Sequence, residues 1–333
     1  MKDFRFSWEG KIFEVGVSIG LVPIARNSGT ITEVLSAADS ACYAAKDQGR
    51  NRVHVYLPDD KLLSDRHGEM QWVSRITSAL EEDRLVLYGQ RIKSLVDGVV
   101  DHWELLVRLK ETDGTLVPPM AFIPAAERYH IMPAIDRWVV QQTVNLIARS
   151  DQMQSNDAPV LNINLSGQSI SDDEVLRFMV DQITREEVNP EKICFEITET
   201  AAIADLSHAT RFIAVMTGLG CRFALDDFGS GLSSFAYLKN LNVSYLKIDG
   251  GFVRNMVNDR IDYAMVESIN HVGHTLGIKT IAEFVETDEV LEAVSQLGVD
   301  YAQGYCIDGP VPVDGDLFAA SVLSTGEIKA RKM

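Results

Sequence analysis

The sequence predicts an α/β protein, most of which forms a TIM-like (β/α)8 barrel. Eight short apolar, β-branched runs alternate with segments of helical periodicity between Leu85 and Ala302, which is the pattern of repeated β-α units. The chain has 333 residues, 46% of them apolar, which is enough for one large core and a smaller piece. A doubly wound open sheet is the alternative on pattern alone, although no G-x-G-x-x-G turn favours it.

The first 56 residues contain too few elements for a complete domain. A strand-like run at Phe13–Ile24 leads to a helix that opens with a capping box at Thr30 and Glu33 and ends at Gly49. A second strand follows at Arg52–Tyr56. One helix between two strands cannot enclose a core, so we expect this partial α/β segment to be the tail of a domain.

A connector and the barrel follow. Residues 57–83 are predicted to form a connector and a helix, which carries Trp72, Val73, Ile76 and Leu80 on one face. We expect the barrel over residues 84–325 and a short tail over 326–333. The predicted barrel strands are Leu85–Tyr88, Trp103–Leu109, Val160–Leu165, Ile193–Ile197, Arg222–Leu225, Tyr245–Ile248, Lys279–Ala282 and Val299–Ala302.

Charge and composition limit the possible partners. The formal net charge is −17, which argues against binding of duplex nucleic acid through counterion release. The four cysteines are scattered without a C-x-x-C pair, which is typical of reduced thiols in a cytoplasmic protein. Apolar runs are short and charges begin at the N-terminus, so we expect neither a membrane segment nor a secretory signal.

Polar residues collect where the predicted strands end. They are Glu104, Arg108, Asn162, Asn164, Glu196, Glu199, Asp226, Asp227, Lys247, Asp249, Glu283, Glu286 and Gln303. The carboxyl ends of barrel strands meet on one face, so these carboxylates would share a small volume and would need cations to stay ionised. An oxygen-only set with an Asp-Asp pair suits Mg²⁺ or Mn²⁺ better than zinc. The pattern favours a metal-dependent phosphoryl hydrolase; the alternative is that these residues cap helices or lie in solvated loops.

A series of short motifs runs in order along the same region. The motifs are Glu104-Leu105-Leu106, Phe122-Ile123-Pro124, Asn164-Leu165-Ser166, Glu196-Ile197-Thr198-Glu199, Asp226-Asp227-Phe228-Gly229, Lys247-Ile248-Asp249, Ala282-Glu283, Val285-Glu286-Thr287 and Gln303-Gly304-Tyr305. Through these motifs, residues 73–323 resemble the EAL-domain family of cyclic di-GMP phosphodiesterases.

A second resemblance concerns the first 56 residues. They resemble the C-terminal part of a GGDEF (diguanylate cyclase) domain through Ser18-Ile19-Gly20, Ala38-Asp39 and Gly49-Arg50-Asn51. The Gly-Gly-Asp/Glu-Glu-Phe turn of that family is absent from the sequence, so we expect no cyclase activity. The segment would then be part of a longer protein or a remnant beside the connector helix.

The EAL resemblance implies a barrel with one antiparallel strand and a defined reaction. That reaction is hydrolysis of one phosphodiester bond of cyclic di-GMP to linear 5′-pGpG, with two Mg²⁺ or Mn²⁺ ions and with Ca²⁺ as an inhibitor. The implied metal ligands are Glu104, Asn164, Glu196 and Asp226 for one ion, with Asp226 bridging to a second near Asp227, Glu283 and Glu286.

The same resemblance assigns further roles. The implied catalytic residues are Glu283 as general base, Lys247 as the residue that orients water, and Asp227; the implied substrate contacts are Gln90, Arg108 and Gln303. Glu199 would steady the loop Phe228–Ser234. That loop would link metal binding to a homodimer that also uses residues near Asn258–Met265.

Four residues depart from the usual pattern of this family, and two of them, Leu105 and Phe284, bear most on the site; the other two are Gly89 and Leu232. Leu105 replaces the alanine of Glu-Ala-Leu, and we expect it to face the barrel and to be tolerated. Phe284 stands where glycine is usual and could tilt Glu283 or Glu286. Phe284 therefore keeps a second hypothesis open, a receptor that binds cyclic di-GMP without cleaving it. A protein scaffold that ignores the nucleotide fits this set of carboxylates poorly.

Overall fold

The structure is a computed structural model of the chain. It describes residues 5–8, 11–14, 17–24, 52–56, 61–155, 158–230, 235–313 and 317, together with part of the segment 30–45. The chain divides into two compact units, Met1–Thr77 and Ser78–Met333. The predicted tail 326–333, the motif Gly49-Arg50-Asn51 and the loop residues 231–234 lie outside the described residues.

The first unit contains two strand pairs. Strand β1 (Arg5–Trp8) pairs antiparallel with β2 (Lys11–Glu14), and β3 (Ile19–Leu21) pairs in parallel with β4 (Val53–Val55). The described residues between 31 and 45 are helical, which supplies the crossover that a parallel pair requires. The single strand predicted at Phe13–Ile24 is therefore wrong, because the two halves of that run pair with different partners.

Helix α1 (Lys61–Glu81) occupies the predicted connector. Ile76 is fully buried, whereas Trp72, Val73 and Leu80 are half-buried, in line with the predicted apolar face. The helix is terminated at Asp83, whose φ is +53°, and the next amide returns to a carbonyl in the last turn.

Eight strands of the second unit close into a barrel. Their order is β5-β6-β8-β9-β10-β11-β12-β13, and both β6 and β13 pair with β5 antiparallel. Closure confirms the predicted TIM-like barrel and excludes the open-sheet alternative. The strands of this unit are β5 (Leu85–Ser94), β6 (Val100–Lys110), β7 (Leu116–Val117), β8 (Val160–Leu165), β9 (Ile193–Thr198), β10 (Arg222–Phe228), β11 (Tyr245–Ile248), β12 (Lys279–Ala282), β13 (Tyr301–Ala302) and β14 (Val311–Pro312).

Helices follow most of the barrel strands. Several begin at a residue whose side-chain oxygen accepts a backbone amide, as Asp172, Thr198 and Thr287 do. In the described part of the chain, every helix is too short or too polar to cross a membrane. The helices are α2 (Pro119–Arg128), α3 (Met132–Ala148), α4 (Asp151–Gln154), α5 (Gly167–Ile170), α6 (Asp173–Arg185), α7 (Glu199–Ala204), α8 (Leu206–Leu219), α9 (Gly250–Asn255), α10 (Arg260–Thr275) and α11 (Asp288–Gln296).

An apolar layer fills one level of the barrel interior. Seven strands each contribute one buried residue to it: Ile92, Val160, Cys194, Ala224, Tyr245, Ile281 and Tyr301. His102 of β6 takes the remaining position, with its ring centre 4.9 Å from that of Tyr245 and 5.4 Å from that of Tyr301. Inward-pointing residues of barrel strands stack in such layers.

Leu105 lies outside this interior. It is 2% exposed and lines a cavity with Ile135 and Val139 of α3, on the face of β6 opposite to Glu104. The expectation that Leu105 faces the barrel is wrong, because side chains alternate along a strand and Glu104 takes the inward position. Its larger size is accommodated in the helical layer, away from the polar strand ends.

Candidate active site

A layer of polar side chains lies directly above the apolar layer. Side chains two residues apart along a strand share a face. The residue two positions after each member of the apolar layer therefore also points inward. Strand β5 runs antiparallel to its neighbours, so there the corresponding residue is two positions before Ile92. The residues so placed are Gln90, Glu104, Asn162, Glu196, Asp226, Lys247, Glu283 and Gln303. The layer two residues further along the strands therefore contains four carboxyl groups, three amides and one amine in place of apolar side chains.

Lys247 lies at the centre of this polar layer. Its Nζ is 2.7 Å from Glu196, 2.8 Å from Glu283, 3.0 Å from Asp226 and 3.6 Å from Glu104. The lysine side chain is only 1% exposed. A single ammonium therefore faces four carboxyl groups away from bulk water. Its one positive charge is too little to neutralise all four if they are ionised.

Burial and repulsion shift the pKa values of these carboxyls. Burial, with repulsion from neighbouring carboxylates and against the attraction of Lys247, raises the pKa of Glu196 to about 8. Burial and the charge of Asp226 raise the pKa of Glu283 well above its ordinary value. Burial opposes ionisation of Glu104, but Lys247 and hydrogen bonds from two amides hold its pKa below the usual value. The site therefore retains protons near neutral pH unless further positive charge enters it.

A bulge brings two neighbouring aspartates into the site. The pairing of β10 with β11 shifts register between Leu225 and Phe228, and Asp227 has a φ of +51°. In a regular strand Asp226 and Asp227 would point to opposite faces. Instead, carboxylate oxygens of both residues and of Glu283 lie within 4.8 Å of one another. Burial and the charge of Asp226 raise the pKa of Asp227 to about 6.

A directional chain of hydrogen bonds supports Glu196 from below. Asn162 Nδ2 donates to Glu196 Oε1 at 2.6 Å, and Asn162 Oδ1 accepts from His102 Nδ1 at 3.1 Å. His102 Nε2 then accepts from the Tyr245 hydroxyl at 3.1 Å, and Arg222 donates to that hydroxyl at 3.2 Å. Burial lowers the pKa of His102 to about 4, so the imidazole is neutral, as this chain requires. The sequence indicated Asn162 only as a polar strand-end residue, and it gave no role to His102, Tyr245 or Arg222.

A cavity of about 390 Å³ opens above the polar layer, and the predicted substrate contacts Gln90, Arg108 and Gln303 line it. Gln303 Nε2 donates to Glu104 at 2.6 Å and lies 3.3 Å from Gln90 Oε1. The half-buried guanidinium of Arg108 lies 5.3 Å from the centre of the Tyr88 ring. The floor of the cavity is therefore lined by carboxyl groups, and its wall by one guanidinium and two amide side chains.

The donor atoms of the site suit a hard divalent cation, because they are carboxylate and amide oxygens. Asn164 directs its amide nitrogen to Glu104 at 2.6 Å, so its oxygen is the atom that could face a cation. Gln303 Oε1 is buried and has no hydrogen-bond partner among the described residues. Asp226 Oδ1 likewise has the ion pair with Lys247 and no hydrogen bond in the described part of the chain. A hydrated cation would satisfy both atoms.

Glu199 is buried beside the loop that follows β10. Its Oε2 accepts the amide of Gly229 at 2.9 Å, and its Oε1 accepts the hydroxyl of Tyr237 at 2.7 Å. The two bonds thus hold the residues on either side of the segment 231–234. The stabilising role of Glu199 stays a prediction, and Tyr237 is a second anchor that the motifs did not indicate.

Glu286 and Phe284 lie apart from the group of carboxylates. Glu286 Oε1 is 3.6 Å from Arg254 Nε, and 44% of the Glu286 side chain is exposed. Phe284 has a φ of +51°, yet the adjacent Glu283 keeps its 2.8 Å contact with Lys247. The structure therefore brings the predicted catalytic residues, metal ligands and substrate contacts together around Lys247 and the cavity above it, except Glu286, which faces an arginine.

Comparison with known proteins places this barrel among close relatives. Residues 73–310 match the family model described as the EAL domain. The cyclic di-GMP phosphodiesterase PdeB of Shewanella oneidensis is 38% identical over 90% of this chain and 35% of its own length. The corresponding values for the cyclic di-GMP phosphodiesterase PdeF of Escherichia coli are 34%, 94% and 41%. The chain thus spans well under half the length of these curated relatives.

Solved structures of similar barrels contain the nucleotide. The PaMucR phosphodiesterase in complex with c-di-GMP has a TM-score of 0.69 at 29% identity, over 73% of this chain and 98% of that chain. The FimX EAL domain from Pseudomonas aeruginosa bound to c-di-GMP has a TM-score of 0.66 at 30% identity, over 72% and 96%.

Fold and site together define a TIM-like barrel whose mouth carries an acidic centre suited to divalent cations. The matched region covers well over half of the sequence, and the chain belongs to the EAL domain family. The family predicted from the strand-end motifs is therefore confirmed. The GGDEF resemblance of the first 56 residues stays a prediction, since the matched region begins at residue 73.

Proposed function

We propose that this chain hydrolyses cyclic di-GMP to linear 5′-pGpG and so lowers the level of a bacterial second messenger. The observation that carries the proposal is the buried group of four carboxylates around Lys247 at the mouth of an EAL-family barrel. The names of the relatives PdeB and PdeF, which are cyclic di-GMP phosphodiesterases, support the substrate.

The proposal includes two Mg²⁺ or Mn²⁺ ions, with Ca²⁺ as an inhibitor. Glu104, Asn164, Glu196 and Asp226 would hold one ion, and Asp226 with Asp227 and Glu283 the other. Such ions polarise a phosphoryl oxygen and lower the pKa of bound water. The oxygen-only donors and the unpartnered buried oxygen of Gln303 support this assignment in the described part of the chain. Glu286 would reach the second ion only by leaving Arg254.

The protein's own groups then have separate tasks. Glu283, whose pKa is raised by burial and by Asp226, would accept the proton of the attacking water at its carboxylate. Lys247 would keep its charge beside the reacting phosphate and hold that water in place. Arg108 would bind a phosphate oxygen through its guanidinium, and Gln90 and Gln303 would orient the nucleotide.

A receptor that binds cyclic di-GMP without cleaving it is the second candidate. The observation that favours it is Phe284, a bulky and exposed residue next to the proposed general base. Metal-dependent turnover separates the two candidates, whereas binding of the nucleotide does not.

A comparison of Glu283→Gln with Glu267→Gln tests the proposal. Glu267 lies exposed on α10 and serves as the matched control. With Mn²⁺ and cyclic di-GMP, the wild type and Glu267→Gln should form pGpG, and Glu283→Gln should be slower by about 10²–10⁴-fold, the usual contribution of a general base. Equal rates for Glu283→Gln and the wild type would remove Glu283 from the chemistry. Tight binding by the wild type without product would favour the receptor.

The proposal extends to the rest of the chain. Residues 1–56 would be the C-terminal part of a GGDEF-like domain without a cyclase site, and residues 57–83 a connector. The barrel would act in the cytoplasm and would form a homodimer. Light scattering of the purified chain would distinguish a dimer from a monomer.

A further inference from the structure

Phe284 occupies a backbone conformation that its side chain disfavours. Its φ is +51°, in the left-handed region where a Cβ meets the following carbonyl and where only glycine is free of strain. Asp227, the other residue of this kind in the cavity wall, has the same φ and supplies a carboxylate to the site. Strained residues persist where the surrounding structure fixes them, and they gather at functional sites.

The backbone on both sides of Phe284 is anchored to neighbouring strands and loops. The amide before it, at Glu283, donates to the carbonyl of Ile248 at 3.4 Å, and the amide after it, at Val285, donates to the carbonyl of Gln303 at 2.9 Å. Cys306 in turn donates its amide to the Val285 carbonyl at 3.0 Å. These bonds fix the direction in which the ring leaves the chain.

Helix α9 supports the ring from one side. The guanidinium carbon of Arg254 lies 4.0 Å from the ring centre, and Gly250, one turn earlier, approaches so closely that a Cβ there would lie 2.0 Å from Phe284 Cδ2. Glu286 lies 3.6 Å from Arg254 and balances its charge. The remaining surface of Phe284 is exposed, 44% of the residue in all, and it lines the cavity above the carboxylates.

We propose that Phe284 is a stacking platform for one planar base of the bound nucleotide, an inference that rests on the proposed function. The floor of the cavity is polar and suits a phosphate with its cations. A nucleobase instead needs a flat apolar surface at the rim. A ring already packed against Arg254 and Gly250 offers that surface with little further ordering on binding. Stacking accepts any nucleobase, because every base has a π-face. Phe284 would therefore contribute affinity, and the polar groups of the cavity would contribute selectivity.

Steady-state kinetics and a fluorescent nucleotide test the proposal. Phe284→Leu keeps an apolar side chain without the ring, and Phe284→Gly also removes the backbone strain. With cyclic di-GMP and Mn²⁺, both variants should raise KM about tenfold, within the range measured for loss of one base stack, while kcat changes less than about twofold, as expected for uniform binding. A cyclic dinucleotide carrying 2-aminopurine should be quenched on binding to the wild type and to Phe284→Tyr, and not on binding to Phe284→Leu.

Glu187→Gly is the matched control for backbone strain. Glu187 has a φ of +49° and lies exposed after α6, away from the cavity. Both glycine variants should unfold at or above the wild-type temperature, but only Phe284→Gly should raise KM. A wild-type KM and unchanged quenching in Phe284→Leu would overturn the stacking role while the proposed function stood. A fall in kcat alone would also overturn it, since Phe284 would then act by positioning Glu283. Absence of both turnover and nucleotide binding in the wild type would instead contradict the proposed function.

Discussion

Replacing Lys247 by methionine removes the ammonium that holds the buried carboxylates together. Its Nζ lies between 2.7 and 3.6 Å from Glu104, Glu196, Asp226 and Glu283. Methionine has a similar length and leaves no large void, so the change isolates the charge. In protein kept free of divalent cations, the carboxyl groups that remain ionised then lack the counter-charge of Lys247.

The cost follows from the geometry. At about 3 Å and an effective dielectric constant of about 20, each close pair contributes about 5 kcal/mol before the loss of solvation is subtracted. Solvation offsets most of this, and removal of one partner from a buried ion pair typically costs about 3–5 kcal/mol. In a domain of this size that loss lowers Tm by roughly 6–20 °C.

The pH dependence has a definite sign. Lys247 and two amide donors hold the pKa of Glu104 below its ordinary value against the effect of burial. A depressed carboxyl pKa contributes stability above the unfolded pKa, and that contribution is lost as pH falls through the folded pKa. The difference between the wild type and Lys247→Met should therefore be large at pH 7 and smaller at about pH 4, where carboxyl groups bind protons.

Urea denaturation in EDTA at both pH values measures this difference. Lys110→Met is the matched control, because Lys110 is exposed at the end of β6, and it should stay within about 0.5 kcal/mol of the wild type. A Lys247→Met protein as stable as the wild type at pH 7, or a gap that widens as pH falls, would refute the proposed electrostatic role.

Three further predictions concern polar residues of the barrel that are buried or half-buried: Asn162, Tyr237 and Asp136, which lies on α3 and accepts hydrogen bonds from Ser166 and Ser169. Asn162→Leu removes the hydrogen bond to Glu196 and should lower kcat for cyclic di-GMP about 10–100-fold with little change in KM; an unchanged kcat would show that Glu196 needs no such support. Tyr237→Phe removes one hydrogen bond to Glu199 and should lower stability by about 1 kcal/mol, and turnover should fall less than in Glu199→Ala; a greater loss in Tyr237→Phe would contradict the shared anchoring. Burial raises the pKa of Asp136 from 3.8 to about 6, so the folded state keeps a proton that the unfolded chain releases, and stability should fall by about 3 kcal/mol as pH rises across that window. In Asp136→Asn, the urea denaturation midpoint should fall less steeply as pH rises than it does in the wild type. A slope equal to that of the wild type would exclude Asp136 as the source of this pH dependence.

The strands could be predicted wherever burial made them continuous apolar runs. Val160–Leu165, Tyr245–Ile248 and Lys279–Ala282 have the predicted bounds, because parallel barrel strands are buried on both faces and end at polar residues. Strand β5 extends well beyond its predicted end at Tyr88, to Ser94. Its polar residues interrupt the apolar run, yet each still pairs with β6 or β13.

The site could be predicted only in part, because its geometry depends on pairing between strands. The strand-end carboxylates were visible in the sequence, since barrel topology brings the ends of strands together. The bulge that turns Asp227 toward Asp226 depends on the register of β10 against β11, which the Asp-Asp pair does not reveal. The two-residue step from Asn162 to Asn164 was a usable signal, because such residues share a strand face. The position of Arg254 beside Glu286 had no comparable signal in the sequence.

Removal and return of the divalent cation during turnover tests whether this chain is a metal-dependent phosphodiesterase. Purified protein is incubated with cyclic di-GMP and Mn²⁺, then with excess EDTA, then with Mn²⁺ in excess over EDTA, and the products are resolved by chromatography at each stage. Linear pGpG should accumulate, stop and resume, and Mg²⁺ should replace Mn²⁺ in the cycle. Product formation that continues in EDTA, or bound nucleotide without product under either metal, would contradict a metal-dependent phosphodiesterase.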